Sequence, residues 1–543
     1  MTSPTNFNLV SQPVGSWQFR APGIVLLAVS YIFLFAQLGH YSLWDDEALT
    51  ALVSVGITMT GDTSIKLNHN VVAYRNGLLV KDGKDRATPP LCEYLPSLFL
   101  NFFPGSVLAA RVPFALLGWL TVLLGVVILW KNRVSPLVQW LFCAAVLGNI
   151  SFFLYFRQCR YYGLVIFLSA LIVALYLSSS ISRKRLFLIA VLSVLLFASN
   201  YLSMMVLYAC LAADYLLWRR KEIALEMREW ATLLVPQAVG CLLIALVWNP
   251  LNTSYGSYLQ KNTLWDRLTM FWWGWRDMNQ CEFFSGLLLT ATLIGGIIWK
   301  DRWLIRGFFA GLLYTIALAA ISPQVRQMTS VADVRYFVPL IPLFIAVQVR
   351  FLSRLANHSK ILVVVIAVVA FGTNLLNGGP MLTRGFHSTV VDYLGELFDP
   401  PAEPYAPTIQ WVKDHVKPGQ SIAVYPDYMM YSLMFHAPHA VYAWQLTDPP
   451  PPSLSDLPPI HFHGKEAPDF LIGFGPSTGQ LIKDVNALGG SVQYQLAEQL
   501  DYLGTPLYRP ELFWRTFKSV LQFDRQSQAI YIFLRVSPPI KEN

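Results

Sequence analysis

Three consecutive acids, Asp45-Asp46-Glu47, follow closely on an apolar run that extends from Pro22 to about Leu38. Carboxylates are costly in hydrocarbon, so acids gathered at a membrane–water boundary point to a working site. A carboxylate placed there can act as a general base. The ordinary alternative is that the triplet opens a short interfacial helix, because acids favour helix N-termini. Both readings can hold for different members of the triplet.

Cationic and aromatic side chains recur on the same side of the chain's apolar segments. Arg157 and Arg160 are spaced i, i+3 and share a face if their segment is helical. Paired guanidiniums suit an anionic ligand such as a phosphate. Arg276 follows Phe271-Trp-Trp-Gly-Trp in what reads as a loop, where the aromatics either stack on a ligand or form an interfacial belt. Arg267, Arg326 and Arg335 complete this set, and Arg86 lies in the segment after the acids. His461-Phe-His463 would put two imidazoles on one side of an extended strand, but without an evident third ligand they read as loop histidines.

The elements that must position these groups are mostly membrane helices. Of 543 residues, 55% are hydrophobic and only 13% charged, against roughly 25% charged in soluble domains. Apolar stretches of about membrane length fall near 22–40, 107–130, 136–155, 161–180, 186–200, 202–218, 231–249, 285–299, 303–321, 336–350 and 361–377, which predicts about eleven transmembrane helices. The fifth and sixth are short and meet at a tight turn near Asn200. The first reads as an anchor and not a cleaved signal peptide, because it is long and no small-x-small pattern follows it.

Basic residues cluster in alternate loops: Lys131 and Arg133, then Arg183 to Arg185, then Arg219 to Lys221, then Lys300 to Arg306, then Arg350 to Lys360. By the positive-inside rule these loops and the N-terminus are cytoplasmic. The same rule accounts for the net charge of +8 without nucleic acid. The six cysteines lack zinc-ligand spacing, so neither a disulfide framework nor a zinc site is expected. Residues 41–106 form an outer loop too long for a mere connector. Beyond the last span the chain is rich in proline and alternates helix (Thr408–Val416, Gly479–Leu488) with strand (Ser421–Tyr425, Asp469–Phe474, Ala529–Val536). This predicts a transmembrane domain over 1–380 and an extracytoplasmic α/β domain over 381–543. A stiff loop is expected at Asp448-Pro-Pro-Pro-Pro-Ser.

The order of several motifs is informative together. An Asp-Glu pair after the first helix is followed by Pro89-Pro-Leu, then Ala110-Arg-Val-Pro entering the second helix. Phe156-Arg-Gln-Cys-Arg-Tyr-Tyr and Val334-Arg-Tyr-Phe-Val-Pro come next. Over about residues 22–350 this resembles the GT-C membrane glycosyltransferases. It is most similar to the glycosyltransferase family 39 group of dolichyl-phosphate-mannose protein mannosyltransferases and aminoarabinose transferases. The resemblance implies a GT-C fold in a bacterial inner membrane. It also implies transfer of a sugar, with inversion, from a polyprenyl-phosphate donor to a glycan, lipid or protein hydroxyl on the outer face.

It further implies Asp46 as base, with Glu47 orienting it or the acceptor, and Asp45 as an extra acid that shifts the register. Arg157, Arg160, Arg335 and Arg276 are then expected at the donor phosphate, and Arg86, Tyr161 and Asn200 at the substrates. Asn200 stands where the family often has His, which leaves the sugar open. No metal ligand set is expected, although some GT-C branches bind a divalent cation at acidic loops. The rival readings are a lipid or polyol transporter or flippase, which would keep ionisable groups at mid-membrane, and a non-catalytic scaffold of the cell envelope.

Overall fold

A computed structural model describes residues 17–178, 182–258, 262–323, 331–377, 385–400, 403, 405–447, 452–488, 492–502 and 528–536. Arg326 and the segment 448–451 of the proline loop lie outside the described residues.

The chain begins with α1 (Trp17–Phe35), then α2 (Asp45–Thr60), which opens on the acidic triplet. Two small hairpins follow, β1 (Lys66–Leu67) with β2 (Asn70–Val71) and β3 (Val80–Lys81) with β4 (Lys84–Asp85). The loop closes with α3 (Leu91–Leu100), which begins after Pro89-Pro90 because proline fits a first helical turn and stops a preceding helix. An added Cβ at Gly56 of α2 would stand 2.1 Å from the Ser64 carbonyl oxygen, so only glycine lets the hairpins lie against this helix.

The bundle continues as α4 (Val107–Lys131), α5 (Pro136–Gly148), α6 (Ile150–Phe156), α7 (Tyr162–Tyr176), α8 (Arg183–Ser199), α9 (Tyr201–Leu217), α10 (Met227–Val247), α11 (Leu264–Gln280), α12 (Gly286–Ile298), α13 (Arg302–Ile321), α14 (Leu340–Leu355) and α15 (Lys360–Gly372). α1 packs on α4 and α5, α4 on α7, α8 on α10, and α9 on α13. Leu26, Phe114, Phe156, Ile166 and Val206 are fully buried in this packing. On α10, by contrast, Leu234, Val239, Leu242, Leu243 and Leu246 face outward, which is the surface lipid would cover. Helices of this length and apolarity, with an outward apolar face, have the form of membrane-spanning helices.

Among the described residues, α1, α4, α10 (with its continuation to Asn252) and α13 are each long and apolar enough to cross a membrane. α3, α7, α9, α12 and α15 are shorter apolar helices. The expected span over 136–155 is two helices, α5 and α6, bent by 61° at Asn149, whose side chain caps α6 by accepting from Phe152 N. Two short helices do meet at Asn200, which ends α8 and caps α9. The aromatic segment around Phe271, expected in a loop, lies on α11. Its Thr263–Asp266 capping box starts a helix that the long run of tryptophans does not advertise.

Beyond the bundle come α16 (Thr389–Phe398), α17 (Tyr405–His415), α18 (Met430–His436) and α19 (Thr478–Asn486). They pack with a five-stranded sheet in the order β6 (Val441–Tyr442), β5 (Ser421–Tyr425), β7 (Phe470–Phe474), β9 (Gln528–Val536), β8 (Gln493–Tyr502). β5 runs parallel to both its neighbours, whereas β9 is antiparallel to β7 and β8. The helix–strand alternation read from the sequence is present, with β6 and β8 added. This domain sits on the loop that follows the acids. Asn70 Nδ2 donates to the Ala440 carbonyl at 2.8 Å, and Tyr442 N donates to Asn70 Oδ1 at 2.8 Å. Lys66 pairs with Asp456 at 2.7 Å.

Candidate active site

The N-terminus of α2 sorts the triplet by the 100° step of a helix. Trp44 stands as an extended N-cap without a side-chain cap bond, so the three acids supply the negative charge that a helix start favours. Glu47 points into the protein and Asp46 to its surface side.

Glu47 and Arg111 of α4 have no exposed side-chain surface and meet through two bonds. Arg111 Nε donates to Oε1 at 3.0 Å and Nη2 to Oε2 at 2.6 Å. The same guanidinium donates to the carbonyls of Leu38, Tyr41 and Ser42. A guanidinium carries five N–H donors, and all five are used here, which offsets the cost of burying its charge. Glu47 Oε1 also accepts from Cys159 N at 2.7 Å. Glu47 therefore fixes three things in one place: the approach to α2, the start of α4 and the turn after α6. Enclosed as it is, it cannot touch an acceptor.

Asp46 lies between two arginines brought from distant parts of the chain. Arg335 Nη1 donates to Asp46 Oδ2 at 3.1 Å, and Arg160 Nη2 lies 3.4 Å from the same oxygen. Arg160 Nη1 also donates to the Asp46 carbonyl and to Thr50 Oγ1. Asp46, Arg160 and Arg335 expose 15%, 14% and 19% of their side chains, so the cluster is sheltered but open to a ligand. Among these three side chains, two cations face one anion and leave one positive charge, suited to an incoming phosphate. Tyr161 and Tyr336 border it, with Arg160 5.5 Å from the Tyr161 ring and Arg335 5.4 Å from the Tyr336 ring.

The shared helical face expected of Arg157 and Arg160 is absent. α6 stops at Phe156, Arg157 is its C-cap, and the chain turns before α7. Arg157 is buried and donates to the carbonyls of Phe33, Leu34 and Ala36, closing the end of α1, while Arg160 goes to Asp46. The structure thus separates two residues that the sequence pairs.

The remaining candidates are dispersed. Arg276 pairs with its neighbour Asp277 at 2.7 Å and lies over Trp273. Asn200 accepts from Ser203 N as the cap of α9. Arg86 binds Asp62 through both Nη atoms at 2.8 Å and stacks over Trp248 at 5.0 Å. This pairing with Arg86, reinforced by Lys84, holds the Asp62 carboxyl well below the usual range. Asp45 is partly exposed beside Asp46. His461 Nε2 lies 3.1 Å from the His69 carbonyl oxygen, and His463 lies 3.4 Å from Asp484. Among the described residues, no three His, Cys, Asp or Glu side chains come together as a metal site, and Asp46 and Glu47 face guanidiniums.

Sequence reasoning missed Thr50 and Arg111 as parts of the site. Arg111 was visible in Ala110-Arg-Val-Pro, where a charge just inside an apolar helix signals a buried partner.

No protein-family model matches the sequence, and no curated protein matches it. Solved structures do match. ArnT from Cupriavidus metallidurans bound to undecaprenyl phosphate aligns over 94% of this chain and 97% of its own, with a TM-score of 0.51 at 15% identity. The chain shares the fold of ArnT. The apo form of ArnT gives the same coverage, with a TM-score of 0.52 at 14% identity. The ArnT-like architecture spans both the bundle and the C-terminal sheet domain, along nearly the whole chain.

Proposed function

We propose that this protein is an integral-membrane glycosyltransferase. It moves a sugar from a polyprenyl-phosphate donor to an acceptor hydroxyl on the outer face of a bacterial inner membrane, inverting the anomeric carbon. The observation that carries the reading is the Asp46 carboxylate held between Arg160 and Arg335, in a fold shared with a protein solved bound to undecaprenyl phosphate.

In the reaction, the acceptor oxygen attacks the anomeric carbon and the new C–O bond forms as the sugar–phosphate C–O bond breaks. The bond's electron pair leaves on the phosphate oxygen, and the acceptor proton passes to Asp46. Arg160 and Arg335 neutralise the charge that gathers on the phosphate. Because both guanidiniums engage Asp46 Oδ2 beforehand, a phosphate that draws them away also frees that oxygen to accept the proton. Donor arrival thereby prepares the base. Glu47 and Arg111 hold the frame and do not enter the chemistry.

The test is a panel of radiolabelled undecaprenyl-phosphate sugars given to the purified protein in membranes, wild type beside Asp46→Asn. Turnover of one donor that disappears in Asp46→Asn, with undecaprenyl phosphate still bound, supports the reading. Absence of turnover with every donor, or equal turnover by both proteins, overturns it in favour of transport or scaffolding.

A further inference from the structure

A second polar group is buried close to the Asp46 cluster and has no part in the mechanism above. Glu93 on α3 is 1% exposed, and its Oε2 atom has no hydrogen-bond partner. α3 is only ten residues long, too short to cross a bilayer at about 1.5 Å per residue. A seam of hydroxyls on α2 links the two places. Thr50 Oγ1 donates to the Asp46 carbonyl, Ser54 Oγ donates to the Thr50 carbonyl at 2.7 Å, and the same hydroxyl lies 2.7 Å from the Glu93 carbonyl oxygen. Asp46 and Ser54 are two helical turns apart, about 12 Å along the axis, roughly the span of two sugar rings.

An orphaned buried oxygen is costly unless a ligand completes it. The surroundings of Glu93 indicate what that ligand is. Its neighbour Asp85 accepts from Ala87 N and Thr88 N at Oδ1 and from Thr88 Oγ1 at Oδ2, and its side chain is also within hydrogen-bond reach of the Glu93 carboxyl. Burial first, and the Asp85 carboxyl second, push Glu93 well above the usual carboxylate range; in its neutral form the acid donates its proton to Asp85 and leaves an oxygen to accept. Beside it, Tyr94 meets the Trp248 ring edge-on at 6.4 Å, and Arg86 stacks over the same ring. Tyr201 donates to the Trp248 carbonyl, and the buried Trp248 Nε1 also lacks a partner. A neutral carboxyl with an open oxygen, an indole with an open N–H and flat aromatic faces are groups that hold the hydroxyls and C–H faces of a carbohydrate.

We propose that Glu93, with Trp248 and Tyr94, forms a sugar-hydroxyl subsite next to the Asp46 cluster. The proposal rests on the glycosyltransferase reading and adds a specificity site to it. The hydroxyl belongs either to the donor's sugar or to a carbohydrate acceptor.

The experiment uses the full-length protein in nanodiscs, with the donor found by the panel above and undecaprenyl phosphate alone as a second ligand. Glu93→Gln keeps a neutral donor–acceptor pair and is expected to stay within about threefold of wild type in both KM values. Glu93→Met removes the polar atoms but fills the space. It is expected to keep or raise the melting temperature, to leave the affinity for bare undecaprenyl phosphate unchanged, and to raise one KM about tenfold or more. A rise in the donor KM assigns the hydroxyl to the donor sugar, and a rise in the acceptor KM assigns it to the acceptor. Trp248→Phe, which keeps a ring and loses the N–H, should raise the same KM by a smaller factor. Both KM values unchanged in Glu93→Met and Trp248→Phe, with a donor turned over by wild type, would overturn the subsite alone. No donor turned over by wild type removes the parent reading and the subsite with it.

Discussion

Arg335 donates to Asp46 across 289 residues of sequence, at 3.1 Å. The contact joins the start of α2 to the segment leading into α14, and Arg160 reaches the same carboxylate oxygen from the turn after α6. Three separate parts of the bundle thus converge on one atom.

Removing the proposed base should separate chemistry from binding. Asp46→Asn is expected to lower kcat by roughly 10²–10⁴, the range for loss of a general base, while undecaprenyl phosphate affinity holds or improves because two guanidiniums lose their internal partner. Single-turnover transfer and equilibrium lipid binding, measured on the same preparation, read the two quantities. A parallel loss of both would show that Asp46 serves binding and not proton transfer.

The two flanking arginines should differ from Arg157. Arg335→Lys loses the planar fork but keeps the charge, and is expected to weaken undecaprenyl phosphate binding about tenfold or more. Arg157→Lys should leave that affinity unchanged and lower the melting temperature, because Arg157 is committed to the carbonyls of Phe33, Leu34 and Ala36. Lipid binding lost in the Arg157 variant with its stability intact would place Arg157 at the phosphate.

Glu47 should behave as a structural acid. Glu47→Gln leaves Arg111 buried against a neutral partner, and breaking such a pair costs about 3–5 kcal/mol. Thermal unfolding in detergent should show this as a large fall in melting temperature. The double replacement Glu47→Leu with Arg111→Met recovers only part, since the Leu38, Tyr41 and Ser42 carbonyls lose their donor. A stable but inactive Glu47→Gln protein would move Glu47 into the chemistry.

The join between bundle and C-terminal domain should respond to pH. His387 lies 3.4 Å from Glu282, which also accepts from Thr389, and that bond raises the His387 pKa above its ordinary 6.5. A group whose folded pKa is raised contributes its full stability below the unfolded value and loses it as pH climbs through the folded one. The difference in melting temperature between wild type and His387→Gln is therefore expected to be largest below pH 6.5 and to shrink above it. A difference that is constant across this window would mean that the pair does not bear on folding.

The sequence by itself determined what local physics records. Runs of apolar residues must become lipid-facing or mutually packed helices, since unpaired backbone is not tolerated in hydrocarbon. Asp45-Asp46-Glu47 had to lie at an end of such a helix and not within it. Short apolar runs such as Ser421–Tyr425 and Phe470–Phe474, bounded by turn residues, read as strands, and both are strands at nearly the expected residues.

Only the tertiary structure decided which partners each acid meets. Asp46 and Glu47 are adjacent and alike in sequence, yet one step around α2 gives Asp46 two arginines at a sheltered surface and Glu47 a sealed pair with Arg111. The break at Asn149 and the end of α6 at Phe156 parted Arg157 from Arg160, which periodicity had placed together. The reason is the same in each case. A helical repeat specifies which side chains share a face, but the partner of a charge is chosen by packing between segments hundreds of residues apart, and no local pattern carries that choice.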